Sequence, residues 1–493
     1  MREAFRTHSH TKKLNQAVDL LAVHRKNPQR YPFLLESVAN GDNNCDYSIL
    51  FAFPQSQIKL NQLNNLETDG VELSSNHFLD GLNEWFETEK AKAKEKVKHG
   101  SNQKDVNQLP FYGGWFVYLG YELAQEIEPV LNLPQVKSTD SVFAQTHIEL
   151  PIAMATRIPA AIVVDKKNNE TWIVAESDFE SLLEKISADI DDNEYVKSLS
   201  TTSLASTELG QASVKEEEPE RYINAVNRIQ KYIIEGDVFQ VNISRKWLIE
   251  LDDATNSANV YAQLRKSNPA PFAGLMTVGN EAVISSSPER LVSVKNGVAE
   301  TRPIAGTRPR QRAESGEIDQ QADDLLRNEL ISHPKERAEH VMLIDLERND
   351  LGRICKPGSI KVDELMGLES YEHVHHIVSN VKGDLADNIL PGDVIRAVFP
   401  GGTITGCPKI RCMEIIAELE ETPRQAYTGS MGYLNLNGDM DLNILIRTII
   451  HSGNELHIRA GAGIVAYSDA EKELQETRVK AKGMLKVIKQ GER

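Results

Sequence analysis

Short apolar runs bounded by glycine, proline or polar turns constrain this chain more than any other feature. Residues 47–53 (YSILFAF) and 160–164 (AAIVV) read as strands buried in a sheet, because runs of this length rich in β-branched and aromatic side chains fill a covered, pleated surface. Residues 78–98 read as a helix whose second half (EKAKAKEKVK) presents a solvated charged face. Residues 111–126 (FYGGWFVYLGYELAQE) suit a buried strand that runs into a helix. The longest apolar stretch, 151–164, is broken by Arg157 and two prolines, so nothing reaches the ~20 residues of a membrane-spanning helix.

One stretch has little to bury. Residues 198–220 are rich in Ser and Thr and then turn acidic (KEEEPE), the composition of an exposed linker or long loop. It separates an N-terminal region, 1–197, from a larger segment, 221–490, with denser apolar strands and sharper turns. That segment opens on an amphipathic helix from Arg221, RYINAVNRIQKYIIEG, which Gly236 is placed to cap.

Charge narrows the ligands. The 55 Lys and Arg against 72 Asp and Glu give a net −17 at pH 7, which argues against a polyanion while leaving room for a locally basic site. Aromatic residues make up 6%, too few to suggest stacking of single-stranded nucleic acid. Cys45, Cys355, Cys407 and Cys412 form no C-x-x-C pair, so neither a zinc ribbon nor a dithiol redox centre is indicated. Free thiols and an N-terminus without the apolar core of a signal peptide fit a cytoplasmic protein.

The chemistry concentrates after the polar stretch. Five segments stand out: GDVFQVNIS from Gly236, SSSPERL from Ser285, RPIAGTRPR from Arg302, HPKERAEHVMLIDLERNDL from His333, and FPGGTITGCPK from Phe399. In the fourth, Pro334 suits the first turn of a helix carrying Glu336, Glu339, Asp345, Glu347 and Asp350. Met342, Leu343 and Leu346 mark its inward stripe, with Glu339 one turn earlier; a carboxylate there needs an arginine partner or a metal. Near the C-terminus, Ser468 and Glu471 have the spacing of a capping box. Beyond it, Glu476 and Lys480 share a helical face, either as a surface ion pair or as a metal ligand beside an anion-binding lysine.

Backbone signals add less on their own. The glycines before Pro408 lead into a helix, KIRCMEIIAELE, whose first amides suit an anion, without the Gly-Lys-Ser/Thr of a P-loop. Gly461-Ala462-Gly463 permits close backbone approach to a ligand. Arg447 lies in a strand-like apolar run, LNILIRTII, where its guanidinium must meet a carboxylate of the protein or of a substrate. Cys407 and Cys412 read as packed small side chains, since the sequence places no activating base beside them.

Taken in order, GDVFQVN, SSSPERL, PIAGTRPR, HPKERAEHVMLIDLERNDLGR, FPGGTITGCPKIR, GSMGY, AGAGIV and QETRVKA resemble the chorismate-utilising enzymes, in particular the synthase subunits of anthranilate synthase and aminodeoxychorismate synthase. YPFLLESV and YGGWFVYLGYE extend the resemblance into the N-terminal region. It implies an α+β fold: two packed antiparallel β-sheets, helices outside, and the active site in the cleft between them. Residues 1–197 would complete the sheets, with 221–490 as the chorismate-binding part. It implies Mg²⁺ held by Glu339 and Glu476. It implies Glu289 as general acid, with His376, Gln240 and Thr307 also at catalytic positions. Gly306, Thr307, Thr403, Tyr433, Arg447, Gly461, Ala462, Gly463 and Lys480 align with substrate contacts, and Ser37, Pro271 and Phe272 with a tryptophan-binding element.

The same resemblance bears on the reaction. Relatives that add water to chorismate place a lysine base near the first motif; here Gln240 stands there, which favours ammonia, a nucleophile with its own lone pair. No glycine-rich cysteine segment of a glutaminase is visible, so ammonia is expected from a separate glutamine amidotransferase subunit. FPGGT, GCPK, QVN around Asn242 and the N-terminal motifs resemble the first component of aminodeoxychorismate synthase, of the 4-aminobenzoate and folate route. Ala305, where several such enzymes carry a nucleophilic lysine, and Ser37 resemble anthranilate synthase, of the tryptophan route. The wider set of features sets the expectation as aminodeoxychorismate synthase. A non-catalytic chorismate or tryptophan sensor would not need Glu289, Glu339 and Glu476.

Overall fold

The computed structural model of the chain describes residues 9–15, 17–38, 47–97, 109–135, 148–191, 209, 212–252, 255–312, 318–370 and 374–488. Cys45 and most of 198–211 lie outside the described residues. The apolar runs are strands: Tyr47–Ala52 and Ala160–Asp165 pair antiparallel with Leu50 opposite Ile162. They belong to a sheet of twelve described strands that begins at Ser9–Leu14 and ends with Glu455–Ile464, Gln240–Leu251 and Ala212–Glu216. A second sheet of eleven described strands begins with Ile304–Pro309 and Val374–Asp384 and ends at Leu66–Asp69. Both sheets join the two parts of the chain. Phe33–Glu36 pairs with Phe272–Val278 in the first, and Gly114–Leu119 with Ser430–Asn435 in the second.

The sheets pack face to face around Phe33, Phe51, Phe116, Tyr118, Met276 and Met431. Phe33 of one sheet stacks on Phe116 of the other with ring centroids 4.1 Å apart, and each such side chain removed from water contributes about 1.5–3 kcal/mol. Helices cover the outer faces. Leu20–Lys26, Ser181–Asp191, Ser257–Ser267 and Ala470–Leu485 pack on the first sheet. Phe78–Val97, Pro334–Gly352 and Pro391–Val398 pack on the second. Among the described residues, no helix is long and apolar enough to cross a membrane.

Four local expectations need correction. The polar stretch is not all loop: Ala212–Glu216 is an edge strand, with Ala212 opposite Leu251. An edge strand needs only backbone partners on one side, so its polar composition hid it. The helix after it opens at Pro219 rather than Arg221, since proline loses nothing at a first helical position; Gly236 closes it at φ 87° as expected. The C-terminal helix is capped by Asp469, whose carboxylate accepts from the Lys472 amide at 3.0 Å, while the Ser468 hydroxyl accepts from the Val465 amide. Finally, LNILIRTII is not one strand. Met440–Asn443 lies in the second sheet and Thr448–Ser452 in the first, and Arg447 between them has φ 54°.

Candidate active site

The site follows from alternation along two neighbouring strands. In Gln240–Leu251, Val241 and Ile243 pack beneath the helices Pro219–Glu235 and Lys409–Glu420, so Gln240 and Asn242 project to the opposite face, toward the other sheet. Ala462 and Ile464 of Glu455–Ile464 pack the same way as Val241, leaving Gly461 and Gly463 on the cleft side. Ala462 therefore offers the cleft its backbone, not its methyl group. Asn242 lies opposite Gly463 and Ser244 opposite Gly461. A Cβ on Gly463 would come within 2.2 Å of Gln240 Nε2, and one on Gly461 within 2.9 Å of the Tyr427 hydroxyl. The two glycines thus make room for polar side chains lying flat on the strands. Gln240 Oε1 and Asn242 Oδ1 are buried acceptors with no donor among the described residues, the pattern of groups awaiting a ligand or water.

Glu289 forms one wall. SSSPERL folds as the strand Glu281–Ser287 followed by a turn, and the Ser287 hydroxyl accepts from the Glu289 amide at 3.2 Å. The Glu289 carboxylate accepts a 2.7 Å hydrogen bond from Thr403, which sits in the one-turn helix Gly402–Ile404. Burial pushes the Glu289 carboxyl up to about 7, against the opposing pull of the Thr403 hydroxyl and the Lys480 charge. It is therefore protonated much of the time at neutral pH. Asn242 Nδ2 donates to the Thr403 carbonyl at 3.4 Å, tying this turn to the glycine strands.

Arg447 forms another wall. Its left-handed backbone stands where the chain crosses from one sheet to the other. No ion pair or side-chain hydrogen bond to its guanidinium occurs among the described residues, and burial lowers its pKa, with Tyr427 as the opposing influence. His376, on Val374–Asp384, lies near enough for Arg447 to add to the burial that takes its pKa down to about 4. His376 hydrogen-bonds the Gly306 backbone and lies opposite Thr307. Gly306 occupies an irregularity in that pairing at φ 68°, where a Cβ would meet Leu330 at 2.9 Å and the Glu336 carboxylate at 3.0 Å. Glu336 is held by Arg308 at 3.3 Å.

Two helices supply the acids and the lysine. Lys480 Nζ pairs with Glu476 at 2.8 Å and also donates to the Gly461 carbonyl at 3.0 Å, so this pair reaches over the glycine strand. Glu476 is exposed and Glu339, on Pro334–Gly352, is partly buried. The most deeply buried acids of that helix are instead Glu347 and Asp350. Asp350 pairs with Lys409 at 2.5 Å, and burial, then the Asp350 charge, pushes Glu347 up to about 8.

Not every expected residue converges. Tyr433 lies in the core between the sheets, its ring 6.0 Å from that of Phe111, and the charges around it are Asp441 and Arg290. The tyrosine beside Arg447 and Gly461 is Tyr427, from RQAYTGS, six positions upstream. Tyr427 carried only a weak sequence signal, an aromatic next to a Thr-Gly turn. Ser37, Pro271 and Phe272 gather elsewhere: the Val38 amide donates to the Ala270 carbonyl at 2.9 Å, Glu36 pairs with Ala273, and the buried Ser37 hydroxyl has no partner among the described residues.

The sequence signature of the chorismate binding enzyme family matches residues 33–486. An anthranilate synthase component I-like protein from Synechocystis is 41% identical over 380 residues, covering 77% of this chain and 73% of that protein. Aminodeoxychorismate synthase component 1 of Bacillus subtilis is 38% identical over 396 residues, covering 78% of each. Crystalline anthranilate synthase component I from Streptococcus pneumoniae superposes with a TM-score of 0.73 at 31% identity, covering 90% of this chain and 93% of that one, so the fold is of the anthranilate synthase component I type. A cleft with an arginine that has no ion-pair partner among the described residues, a buried carboxyl and a glycine-lined wall, together with a match across nearly the whole sequence, places this chain in the chorismate binding enzyme family.

Proposed function

We propose that the cleft aminates chorismate and that the chain is the first component of an aminodeoxychorismate synthase, producing 4-amino-4-deoxychorismate. The observation that carries the chemistry is the presence in one cleft of Arg447, whose guanidinium has no carboxylate partner among the described residues, and of Glu289, a buried carboxyl raised to about 7. Chorismate is a dianion. Arg447, with Tyr427 beside it, suits its enolpyruvyl carboxylate. Glu289 suits the departing ring hydroxyl: its proton goes to that oxygen as the carbon–oxygen bond breaks, and water leaves. Lys480 offers positive charge toward the same acid. Gln240 is no base, and ammonia needs none, since its lone pair forms the carbon–nitrogen bond and its extra proton is then lost. Ammonia would come from a separate glutaminase subunit, in the cytoplasm.

Glu339 and Glu476 would hold Mg²⁺. Their all-carboxylate donor set fits a hard cation that takes few protein ligands, and no cluster of three or more His, Cys, Asp or Glu able to hold a metal occurs among the described residues, so water and substrate oxygens would complete its shell. When bound, the ion supplies charge to a substrate carboxylate.

FPGGT, GCPK and the N-terminal motifs support the aminodeoxychorismate assignment, while the relatives themselves divide between the two enzymes. One observation favours anthranilate synthase instead. Ala305, 8% exposed in the strand opposite Ile377, can form no covalent bond to the ring, so nitrogen must reach the 4-position without it. The product decides. Purified protein given chorismate, Mg²⁺ and ammonium should yield a compound that retains the enolpyruvyl group and gains an amine. Anthranilate with released pyruvate would assign the chain to the second reading.

A further inference from the structure

Behind the cleft lies a buried ion pair that the chemistry above does not use. Arg424 is 2% exposed and Glu420, at the end of the helix Lys409–Glu420, is 5% exposed. Glu420 Oε1 accepts from Arg424 Nη2 at 2.7 Å, the Ser244 amide at 2.9 Å and the Ser244 hydroxyl at 2.8 Å. Its Oε2 accepts from Arg424 Nε and Arg459 Nη1, both at 3.0 Å. This two-pronged grip fixes the guanidinium plane. The remaining donors reach the backs of the site walls. Arg424 Nη2 donates to the Asn242 carbonyl at 2.8 Å, and Nη1 donates to the Ile404 carbonyl and the Thr428 hydroxyl, each at 3.3 Å. The guanidinium also lies 4.9 Å from the Tyr121 ring centroid and 5.5 Å from that of Tyr427.

Three of these contacts meet a functional group from behind. Asn242 carries an unpartnered acceptor, Ile404 follows the threonine that bonds Glu289, and Tyr427 stands beside Arg447. Charge balance alone does not call for Arg424, because Arg459 already pairs with Glu420. Nor does stability: burying an ion pair is often neutral against an apolar replacement. We propose, resting on the reading above, that Arg424 is a positioning residue of the reaction: gripped by Glu420, it sets the spacing of the Asn242 strand, the Thr403 turn and the Tyr427 ring, and so holds Thr403 on Glu289. A lysine, a single point of charge, could keep the pair with Glu420 but not both carbonyls.

The test compares wild type, Arg424→Lys and Glu420→Gln for chorismate turnover with ammonium across pH, alongside thermal midpoints. Arg424→Lys should fold, lose about tenfold or more in kcat and change KM less. A loosened Thr403 bond removes one influence that lowers the Glu289 pKa, while Lys480 and Glu347, which also face that acid, stay in place. The alkaline fall of kcat should therefore move up by roughly half to one pH unit. Glu420→Gln should show a smaller shift in the same direction. Lost stability alone reduces the amount of active protein and leaves that limb unmoved. A wild-type limb and kcat in folded Arg424→Lys overturns the proposal; if that variant does not accumulate, the same result in Glu420→Gln does. Wild-type protein that leaves chorismate untouched overturns the functional reading instead, and this inference with it.

Discussion

Replacing Glu289 with glutamine separates two consequences of burying a carboxyl in the cleft. Burial raises its pKa from 4.5 to about 7, which amounts to about 3 kcal/mol against the charged form. The folded value lies above the unfolded one. Its contribution to stability is therefore fully present below the unfolded pKa and is lost as pH rises through the folded pKa, about 7. Glutamine keeps the size and an acceptor for Thr403 but cannot ionise. The variant should match wild-type stability within about 1 kcal/mol near pH 5 and exceed it by up to about 3 kcal/mol near pH 8.5. Its turnover should fall about 10²–10⁴-fold for want of the general acid. The wild-type loss of kcat above neutrality should vanish from the residual rate. Urea titrations at the two pH values measure the first effect. Chorismate consumption, with free ammonia held constant as pH changes, measures the second. A variant with wild-type turnover, or with the same relative stability at both pH values, would refute the argument that Glu289 is a buried acid poised to give up a proton.

Other outcomes follow from the same walls. Arg447→Ala should raise the KM for chorismate by roughly 10–100-fold, as expected for a lost charge-assisted carboxylate contact of about 1.5–3 kcal/mol, in steady-state assays; an unchanged KM would place the substrate carboxylate elsewhere. Gly463→Ala puts a methyl 2.2 Å from Gln240 Nε2. Its far-ultraviolet circular dichroism should stay native while turnover drops at least about tenfold, and wild-type turnover would remove Gln240 from the reacting centre. Glu339→Ala and Glu476→Ala should each abolish turnover in folded protein, and EDTA should silence wild type until Mg²⁺ is restored; normal activity in either variant would end the metal assignment.

The sequence carried the sheets and most of the site for a physical reason: apolar runs and glycine clusters act through local geometry. YSILFAF and AAIVV could hardly be anything but covered strands, and Gly461 and Gly463 lie where side chains of the neighbouring strand need their space. Positions that depend on three-dimensional convergence were less visible. Arg447 read as mid-strand because its neighbours are apolar, yet the chain changes sheets there. Tyr433 and Tyr427 are both aromatic residues near glycines, but Tyr433 lies on the strand Ser430–Asn435 and packs against the core, whereas Tyr427, in the turn before that strand, comes beside Arg447. Arg424 gave little signal: Glu420 lies only four residues before it, but the helix ends at Glu420, and the other partners, Asn242 and Ile404, come from distant segments.

A crystal structure with chorismate and Mg²⁺ bound tests the account most directly. It should show a substrate carboxylate on Arg447, the Glu289 carboxyl within hydrogen-bonding distance of the ring hydroxyl, and Glu339 and Glu476 both on the metal ion. Chorismate bound away from Arg447 and Glu289, or the two acids turned to solvent with the ligand in place, would contradict it.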